Sequence, residues 1–266
     1  MITAVAAIPA FADNYIWMIE RAGYAAVVDP GDATPVLRAL ESRGIPLAAI
    51  LITHHHLDHI GGVAQILEAH DVPVLGPRAE SRTIPGLTRL LDDGDAFEVP
   101  KLGLELSVLS VPGHTLGHIA YYAKRDGGDP PRLFCGDTMF SAGCGRLFEG
   151  TAEQLHRSLA RLNSFDDDTE IYCTHEYTLS NLAFASAVEP GNAEIERHRT
   201  HVRGLRDRGE PSLPSRLSLE RRVNPFLRVD EAAIIEAAGA KLGHRPTDSV
   251  EVFATLRRWK DHFRAS

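Results

Sequence analysis

Four histidines and an aspartate crowd into six positions as His54-His55-His56-Leu57-Asp58-His59. Imidazole nitrogens and carboxylate oxygens suit divalent transition metals, and five such groups exceed what one ion recruits from a single loop. The spacing suggests a division. His54 and His56 are two apart and can point the same way, while Asp58 and His59 follow a turn and can face a second ion. The alternative is a solvated loop that is merely His-rich. Crowding imidazoles at the end of a core strand is costly, however, unless something coordinates them. Three more groups of the same chemistry follow apolar runs: His114 in Pro112-Gly113-His114-Thr115, Asp137 in Gly136-Asp137-Thr138, and His175 in Thr174-His175-Glu176.

Strands have to deliver these loops. Leu47 to Ile52 has the length and β-branched content of a buried strand and breaks directly into the cluster. Before it, Ile2–Ile8, Tyr15–Glu20 and Tyr24–Asp29 form a meander of short strands. Asp32 can then cap a helix carrying Val36, Leu37 and Leu40 that stops at Gly44. After the cluster, Gly61-Gly62 opens a helix with Val63, Ile66 and Leu67 on one face. Leu102, Leu104, Leu106 and Val108 alternate as one half-buried strand, and Ile119–Lys124, Leu133–Cys135 and Glu170–Thr174 read as three more. Thr151 with Gln154 has the form of a capping box, and Leu155, Leu159 and Leu162 carry that helix on. Thr53-His54 and Thr174-His175 repeat one design, strand then Thr-His.

Beyond about Asn181 the pattern becomes helical without strands. A charged helix over 192–208 is followed by a Pro-punctuated break and an Ala-rich helix over 230–242. The last helix, Thr247–Phe263, aligns Phe253, Leu256, Trp259 and Phe263 on one stripe. The boundary falls near Glu176–Asn181, so a sheet part precedes a helical part.

Composition sets outer limits. The chain has 266 residues with 44% hydrophobic content, which suits one large domain, or one domain with a smaller partner, around a real core. A net charge of −8 argues against a nucleic-acid surface but leaves room for a local basic pocket. Cys135, Cys144 and Cys173 form no paired spacing and are expected to be reduced, as inside a cell. No stretch approaches the roughly 20 apolar residues of a membrane span. No basic lead precedes the Ala-rich start, so a signal peptide is not expected. The expected location is the cytoplasm, with no nucleic-acid or membrane partner and a monomeric state.

The motif His54, His56, Asp58, His59, joined by His114, Asp137 and His175 in order, resembles the metallo-β-lactamase superfamily. Asp13-Asn14-Tyr15, Gly143-Cys144-Gly145-Arg146, Phe148-Glu149-Gly150-Thr151, His175-Glu176-Tyr177, Glu189-Pro190-Gly191-Asn192, Asn224-Pro225-Phe226-Leu227-Arg228 and Arg257-Arg258-Trp259-Lys260-Asp261 narrow the resemblance to the glyoxalase II (hydroxyacylglutathione hydrolase) family. The resemblance implies an α/β fold, the four-layered αβ/βα metallo-β-lactamase sandwich with a C-terminal α-helical domain. Residues 1–177 would be catalytic and 178–266 would bind glutathione. It also implies two divalent ions, one on His54, His56 and His114, the other on Asp58, His59 and His175, with Asp137 bridging. Zinc is the default metal, and iron or manganese accept the same ligands.

The implied reaction is hydrolysis of S-D-lactoylglutathione to D-lactate and glutathione, part of methylglyoxal detoxification. Two ions can share a water and bring its pKa toward about 7, leaving hydroxide to attack the thioester. Asp58 and Asp137 take part through that hydroxide, as ligands rather than bases. A cysteine-type thiol, with a pKa of about 8.5, leaves without a dedicated acid. Cations must meet the glutathione carboxylates. Arg257 and Lys260, three apart on one helix face, suit this, with Arg146 where the family often has Lys. Tyr177 can donate a hydroxyl. Phe148 stands where some relatives have Tyr, which removes a phenol contact, and Leu57 replaces an aromatic residue of some relatives. His55 fits no ligand role. His70, His156, His198, His201, His244 and His262 are expected at the surface.

Three other readings compete. A single-iron glutathione persulfide dioxygenase of the same superfamily lacks the helical extension over Asn224–Lys260. A superfamily nuclease conflicts with the acidic balance. A non-catalytic glutathione-conjugate binding protein would not need a complete ligand set.

Overall fold

The computed structural model describes residues 3–264, so Ile2, expected in the first strand, lies outside the described residues. In chain order the elements begin with β1 (Ala4–Ala10), β2 (Asn14–Arg21), β3 (Tyr24–Val28), α1 (Ala33–Arg43), β4 (Leu47–Leu51), α2 (Leu57–Ile60) and α3 (Val63–Ala69). The sheets continue through β5 (Val74–Pro77), β6 (Leu87–Leu91), β7 (Ala96–Val99), β8 (Leu104–Ser110), β9 (Ile119–Ala123) and β10 (Arg132–Gly136). There follow β11 (Met139–Phe140), β12 (Gly143–Cys144), α4 (Ala152–Leu162), β13 (Glu170–Cys173), α5 (Thr178–Val188) and α6 (Ala193–Asp207). The chain closes with β14 (Ser215–Arg216), α7 (Leu217–Val223), α8 (Ala232–Leu242) and α9 (Ser249–His262).

Two compact units result, one of residues 1–111, 116–136 and 172–175, the other of 112–115, 137–171 and 176–266. In the first, β1 to β6 form a sheet in sequential order, antiparallel through β3 and parallel from β3 to β6. Every residue of β4 is buried, as expected of a parallel strand covered on both faces. Asp32 caps α1 by accepting from Thr34 N at 2.8 Å, and Gly44 ends it at φ +63°. Val36 and Leu40 of α1 and Val63 and Ile66 of α3 pack on Ile16, Met18, Val27 and Ile50. Each such side chain contributes about 1.5–3 kcal/mol by leaving water.

The second sheet of this unit runs β7-β8-β9-β10-β13. Its inner face meets the first sheet through polar anchors set among apolar contacts. The Tyr121 hydroxyl donates to Ile52 O at 2.6 Å, and Trp17 Nε1 donates to Cys173 O at 3.0 Å, with its ring edge-on to Tyr172. The parallel strands β4, β5 and β6 and the antiparallel β13 thus expose loop ends whose positions are fixed by a packed core.

The structure departs from the sequence expectation in several elements. The alternating strand begins at Leu104 rather than Leu102 and runs on to Ser110. Strands β5, β6 and β7 have 4 or 5 residues each, and Gly-Pro in β5 and polar residues in β6 and β7 break the apolar run that marks β4. The region after Asn181 is not free of strands, since Ser215 and Arg216 pair with Ile171 and Glu170.

In the second unit the expected capping box forms, with Gln154 N donating to Thr151 Oγ1 at 3.2 Å and Thr151 N donating to Gln154 Oε1 at 2.9 Å. Leu182, Ala185, Ile195, Val202 and Val223 make a core of α5, α6 and α7. A fully buried carboxylate ties this core to the β11–β12 hairpin. Glu220 accepts from Ser141 Oγ at 2.9 Å, Ala142 N at 2.7 Å, Asn224 Nδ2 at 3.1 Å and the Ser215 hydroxyl. Burial pushes its pKa up, against these donors. Glu220→Ala strands a buried N–H and leaves a cavity, and should cost about 3 kcal/mol, a fall of about 6–12 °C in thermal midpoint. Glu220→Gln should recover most of that, because the two serine hydroxyls can turn to accept from an amide. Equal midpoints for the two variants would show that the hydrogen bonds contribute nothing.

Candidate metal centre

In the first unit the four-residue helix α2 starts directly after His56, which brings Asp58 and His59 back toward the end of β4. Asp58, His59 and His175 place ligand atoms within 4.8 Å of one another. His59 Nε2 lies 3.7 Å and His175 Nε2 3.4 Å from Asp58 Oδ2. Two ligands each about 2.1 Å from one tetrahedral ion stand about 3.4 Å apart, so these separations have the spacing of a coordination site. His54 Nε2 and His56 Nδ1 approach to 3.1 Å with edge-on rings. The donor set, imidazole and carboxylate, suits a divalent transition metal.

The outer nitrogens face oxygen atoms of neighbouring side chains. Asp29, buried between β3 and α1, is the hub. Its Oδ1 accepts from Thr53 N and its Oδ2 from Thr53 Oγ1, both at 2.7 Å, and Oδ2 also lies 3.0 Å from His59 Nδ1. Thr53 Oγ1 in turn lies 3.1 Å from His54 Nδ1. Because its hydroxyl proton goes to Asp29, Thr53 can accept from His54, so one carboxylate stands behind two imidazoles, one through Thr53 and one by proximity. His118, fully buried, stacks on His54 at 4.5 Å. His55 turns aside and pairs with Glu80 at 3.0 Å.

In the second unit His114 and Asp137 are partners, with His114 Nε2 3.5 Å from Asp137 Oδ2. His114 Nδ1 donates to Arg146 O at 2.9 Å, and Phe148 N and Gly150 N return to His114 O and Gly113 O. The segment 145–150 therefore wraps the His114 turn. A Cβ on Gly145 would stand 2.0 Å from Asp137 O, so only glycine admits this approach. Phe148, 62% exposed, sets its ring edge-on to His114 at 5.3 Å.

The residues expected to meet glutathione fall into two kinds. Arg146 is exposed and 3.8 Å from Asp261, and Tyr177 is partly exposed with its ring edge-on to Phe140. Lys260 donates to Ser180 O at 3.0 Å and lies over the Phe184 ring. Burial, then the nearby Arg257 charge, pulls its pKa down to about 8. Arg257 differs, because its guanidinium is buried and donates to Cys144 O at 2.8 Å and to Asp261 at 2.9 Å. Cys144 is buried against it, and burial raises that thiol to about 11. The expected surface placement of histidines holds for His201, His244 and His262. His70, His156 and His198 are half-buried, and burial pulls His198 down to about 4.

Asp13, Asp29 and His118 carry no assignment from sequence alone. Asp13 lies in a quoted motif, Asp29 opens a turn signal and His118 follows a glycine, but none has metal-ligand spacing.

Residues 11–175 match the family model of the metallo-beta-lactamase superfamily, and residues 176–263 match that of the hydroxyacylglutathione hydrolase C-terminus. The chain is 54% identical to the hydroxyacylglutathione hydrolase of Alkalilimnicola ehrlichii, over 97% of this chain and 99% of the relative. It is 48% identical to that of Nitrosomonas europaea, over 97% and 95%. Among solved structures it is similar to ETHE1 from Myxococcus xanthus, with TM-score 0.67 and 23% identity, over 100% of this chain and 93% of that one. TTHA1623, solved in a di-iron-bound form, has TM-score 0.60 and 25% identity, over 84% and 100%.

Proposed function

The chain belongs to the hydroxyacylglutathione hydrolase family of the metallo-β-lactamase superfamily, and from that premise we propose how its residues divide the work of the reaction. It is an enzyme that hydrolyses the thioester of acylglutathiones, built on the metallo-β-lactamase sandwich with a helical C-terminal region. We assign S-D-lactoylglutathione as the preferred substrate, giving D-lactate and glutathione, in methylglyoxal detoxification. The match of residues 176–263 to the family's C-terminal model carries the substrate class, because the superfamily core alone selects none.

His54, His56 and His114 are proposed to hold one divalent ion and Asp58, His59 and His175 the other, with Asp137 bridging. The 3.4–3.7 Å separations among Asp58, His59, His175 and between His114 and Asp137 support ligation over hydrogen bonding. The likeness to a di-iron-bound structure supports two ions, and zinc remains the first expectation, ahead of iron and manganese. Ions bound there supply Lewis acidity, which readies a water at neutral pH and draws off charge at the thioester carbonyl.

The chain's own groups do the rest. Asp29, through Thr53 and His59, keeps the imidazoles facing inward. Arg146 and Lys260 are assigned to the carboxylates of glutathione, the Tyr177 hydroxyl to its peptide, and the exposed Phe148 ring to its apolar parts. Arg257 is assigned to the same task through the loop it holds. Water adds to the carbonyl carbon as the C=O π bond opens; re-formation of the carbonyl breaks the C–S bond, leaving the acid and releasing glutathione as thiolate, whose thiol pKa of about 8.5 means that no side-chain acid is needed. In this assignment residues 1–177 are catalytic and 178–266 bind glutathione. A cytoplasmic monomer is proposed. Three cysteines, all buried and none in a disulfide, are in keeping with that location. No helix among the described residues is long and apolar enough to cross a membrane.

The test is hydrolysis of S-D-lactoylglutathione by the full chain, with metal analysis of the same sample before and after exhaustive chelation. Loss of turnover with the metal, and its return on reloading, is expected. Turnover that survives complete removal of metal would overturn the assignment.

A further inference from the structure

We propose that the turn between β1 and β2 is a positioning element for one half of the metal centre, with Asp13 fixing His175 and Asn14 fixing Asp58. The proposal rests on the assignment of Asp58, His59 and His175 to one ion. The turn itself contributes no ligand.

Asp13 Oδ1 lies 2.8 Å from His175 Nδ1, across 162 residues of sequence. A carboxylate can only accept there, so Nδ1 carries the proton and Nε2 presents its lone pair. It is Nε2 that lies 3.4 Å from Asp58 Oδ2. One residue on, Asn14 Nδ2 donates to that same Asp58 Oδ2 at 3.1 Å. Two successive side chains therefore hold the imidazole and the carboxylate that share the centre. The main chain adds a third tie, since Tyr15 N donates to Thr174 O at 2.7 Å and Asn14 pairs with His175 in an isolated bridge.

The turn reaches this position at a local cost. Phe11 is held at φ +52°, in the left-handed region that a bulky side chain rarely adopts. Gly31 lets the pieces close up. A Cβ on it would lie 1.9 Å from Asp58 O and 2.9 Å from the Phe11 ring, so turn, Asp58 loop and Asp29–Gly31 segment meet in one place. Backbone strain of this kind persists where surrounding contacts over-determine it, and here those contacts lead to two ligands. Other imidazoles have other neighbours: His59 lies against Asp29, His54 is linked to it through Thr53, and His114 donates to Arg146 O. Loss of Asp13 should therefore weaken one ion selectively.

Metal-free full-length protein, its Asp13→Ala and Asp13→Asn variants are titrated with Zn(II) against a chromophoric chelator, resolving two binding constants. Thermal midpoints of the metal-free forms are taken in parallel. The Asp13 side chain is 37% exposed, so the alanine variant is expected to fold. Asp13→Ala should weaken one constant by about 10- to 100-fold and leave the other within about threefold. Asp13→Asn, whose amide oxygen can still accept from Nδ1, should recover most of the loss, and the metal-free midpoints should agree. Unchanged constants in Asp13→Ala, or a joint fall of both constants with the midpoint, would overturn the proposal while leaving the dinuclear assignment standing. Wild-type protein that takes up fewer than two ions would remove that assignment, and the proposal with it.

Discussion

Asp58→Ala is expected to lower turnover of S-D-lactoylglutathione by about 10³-fold, the upper end of what removing one electrostatic partner costs at a reaction centre. Asp58 is the one anionic member of the Asp58–His59–His175 set. Its Oδ2 stands 3.7 and 3.4 Å from the two Nε2 atoms and receives the Asn14 amide. Without it the proposed ion would keep two neutral imidazoles and only a share of Asp137, a set short of one ligand and one charge that would exchange readily with water. The residues assigned to glutathione are untouched, so the loss should appear in kcat with KM little changed. The side chain is 41% exposed, and the metal-free variant should unfold at the wild-type temperature. Asp58→Glu should rescue little, because an added methylene displaces the oxygen by more than a coordination site tolerates. The measurement is steady-state kinetics with metal content determined on the same samples. Turnover within tenfold of wild type at full metal content would remove Asp58 from the ligand set.

The residues proposed as ligands stand out in the sequence because their chemistry is local. His54, His56, Asp58 and His59 sit within six positions at the end of an apolar run, and nothing but coordination makes that inexpensive. What orients them is not legible, because each partner comes from far along the chain. Asp13 is one polar residue in a turn, and only folding joins it to His175. Asp29 reads as the start of a Pro-Gly turn, yet it is buried, accepts from Thr53 and lies 3.0 Å from His59 Nδ1. The repeated Thr-His is instructive in the same way. Thr53 acts through its hydroxyl on Asp29 and His54, whereas Thr174 acts through its main chain, accepting from Tyr15 N and donating to Gly136 O at 3.4 Å. One dipeptide at two strand ends is thus wired in two ways. The strands β5, β6, β7 and β14 were hidden for a simpler reason: Gly-Pro in β5 and polar residues in β6 and β7 interrupt the apolar run that marks β4, and β14 has two residues.

Arg257 and Lys260 look equivalent in sequence, three apart on one helix face, and the structure makes them opposites. Arg257→Ala should destabilise the protein by about 3 kcal/mol, the scale of leaving buried carbonyls without their charged donor. Its guanidinium is 4% exposed and donates to the carbonyls of Cys144 and Gly145 at 2.8 and 3.4 Å and to Asp261 at 2.9 Å. It also lies 5.3 Å from the Phe226 ring centre. Removing it leaves those carbonyls buried without their donor and loosens the segment that carries Arg146 and backs His114 and Asp137. A fall of about 100-fold in kcat/KM is expected beside the lowered thermal midpoint, the size of losing two charge-assisted hydrogen bonds. Arg257→Lys should rescue poorly, since an ammonium cannot reproduce the planar fork. Lys260→Ala should behave differently, raising KM about tenfold with midpoint and metal content unchanged. Its pKa, pulled down to about 8, adds a signed test. Below that pH the side chain is cationic and can meet a carboxylate, and above it the charge is lost. Wild-type KM should therefore rise as pH passes 8, while Lys260→Arg, always charged, should stay flat. A wild-type KM that is level from pH 7 to 9 would take Lys260 out of contact with the substrate's carboxylates.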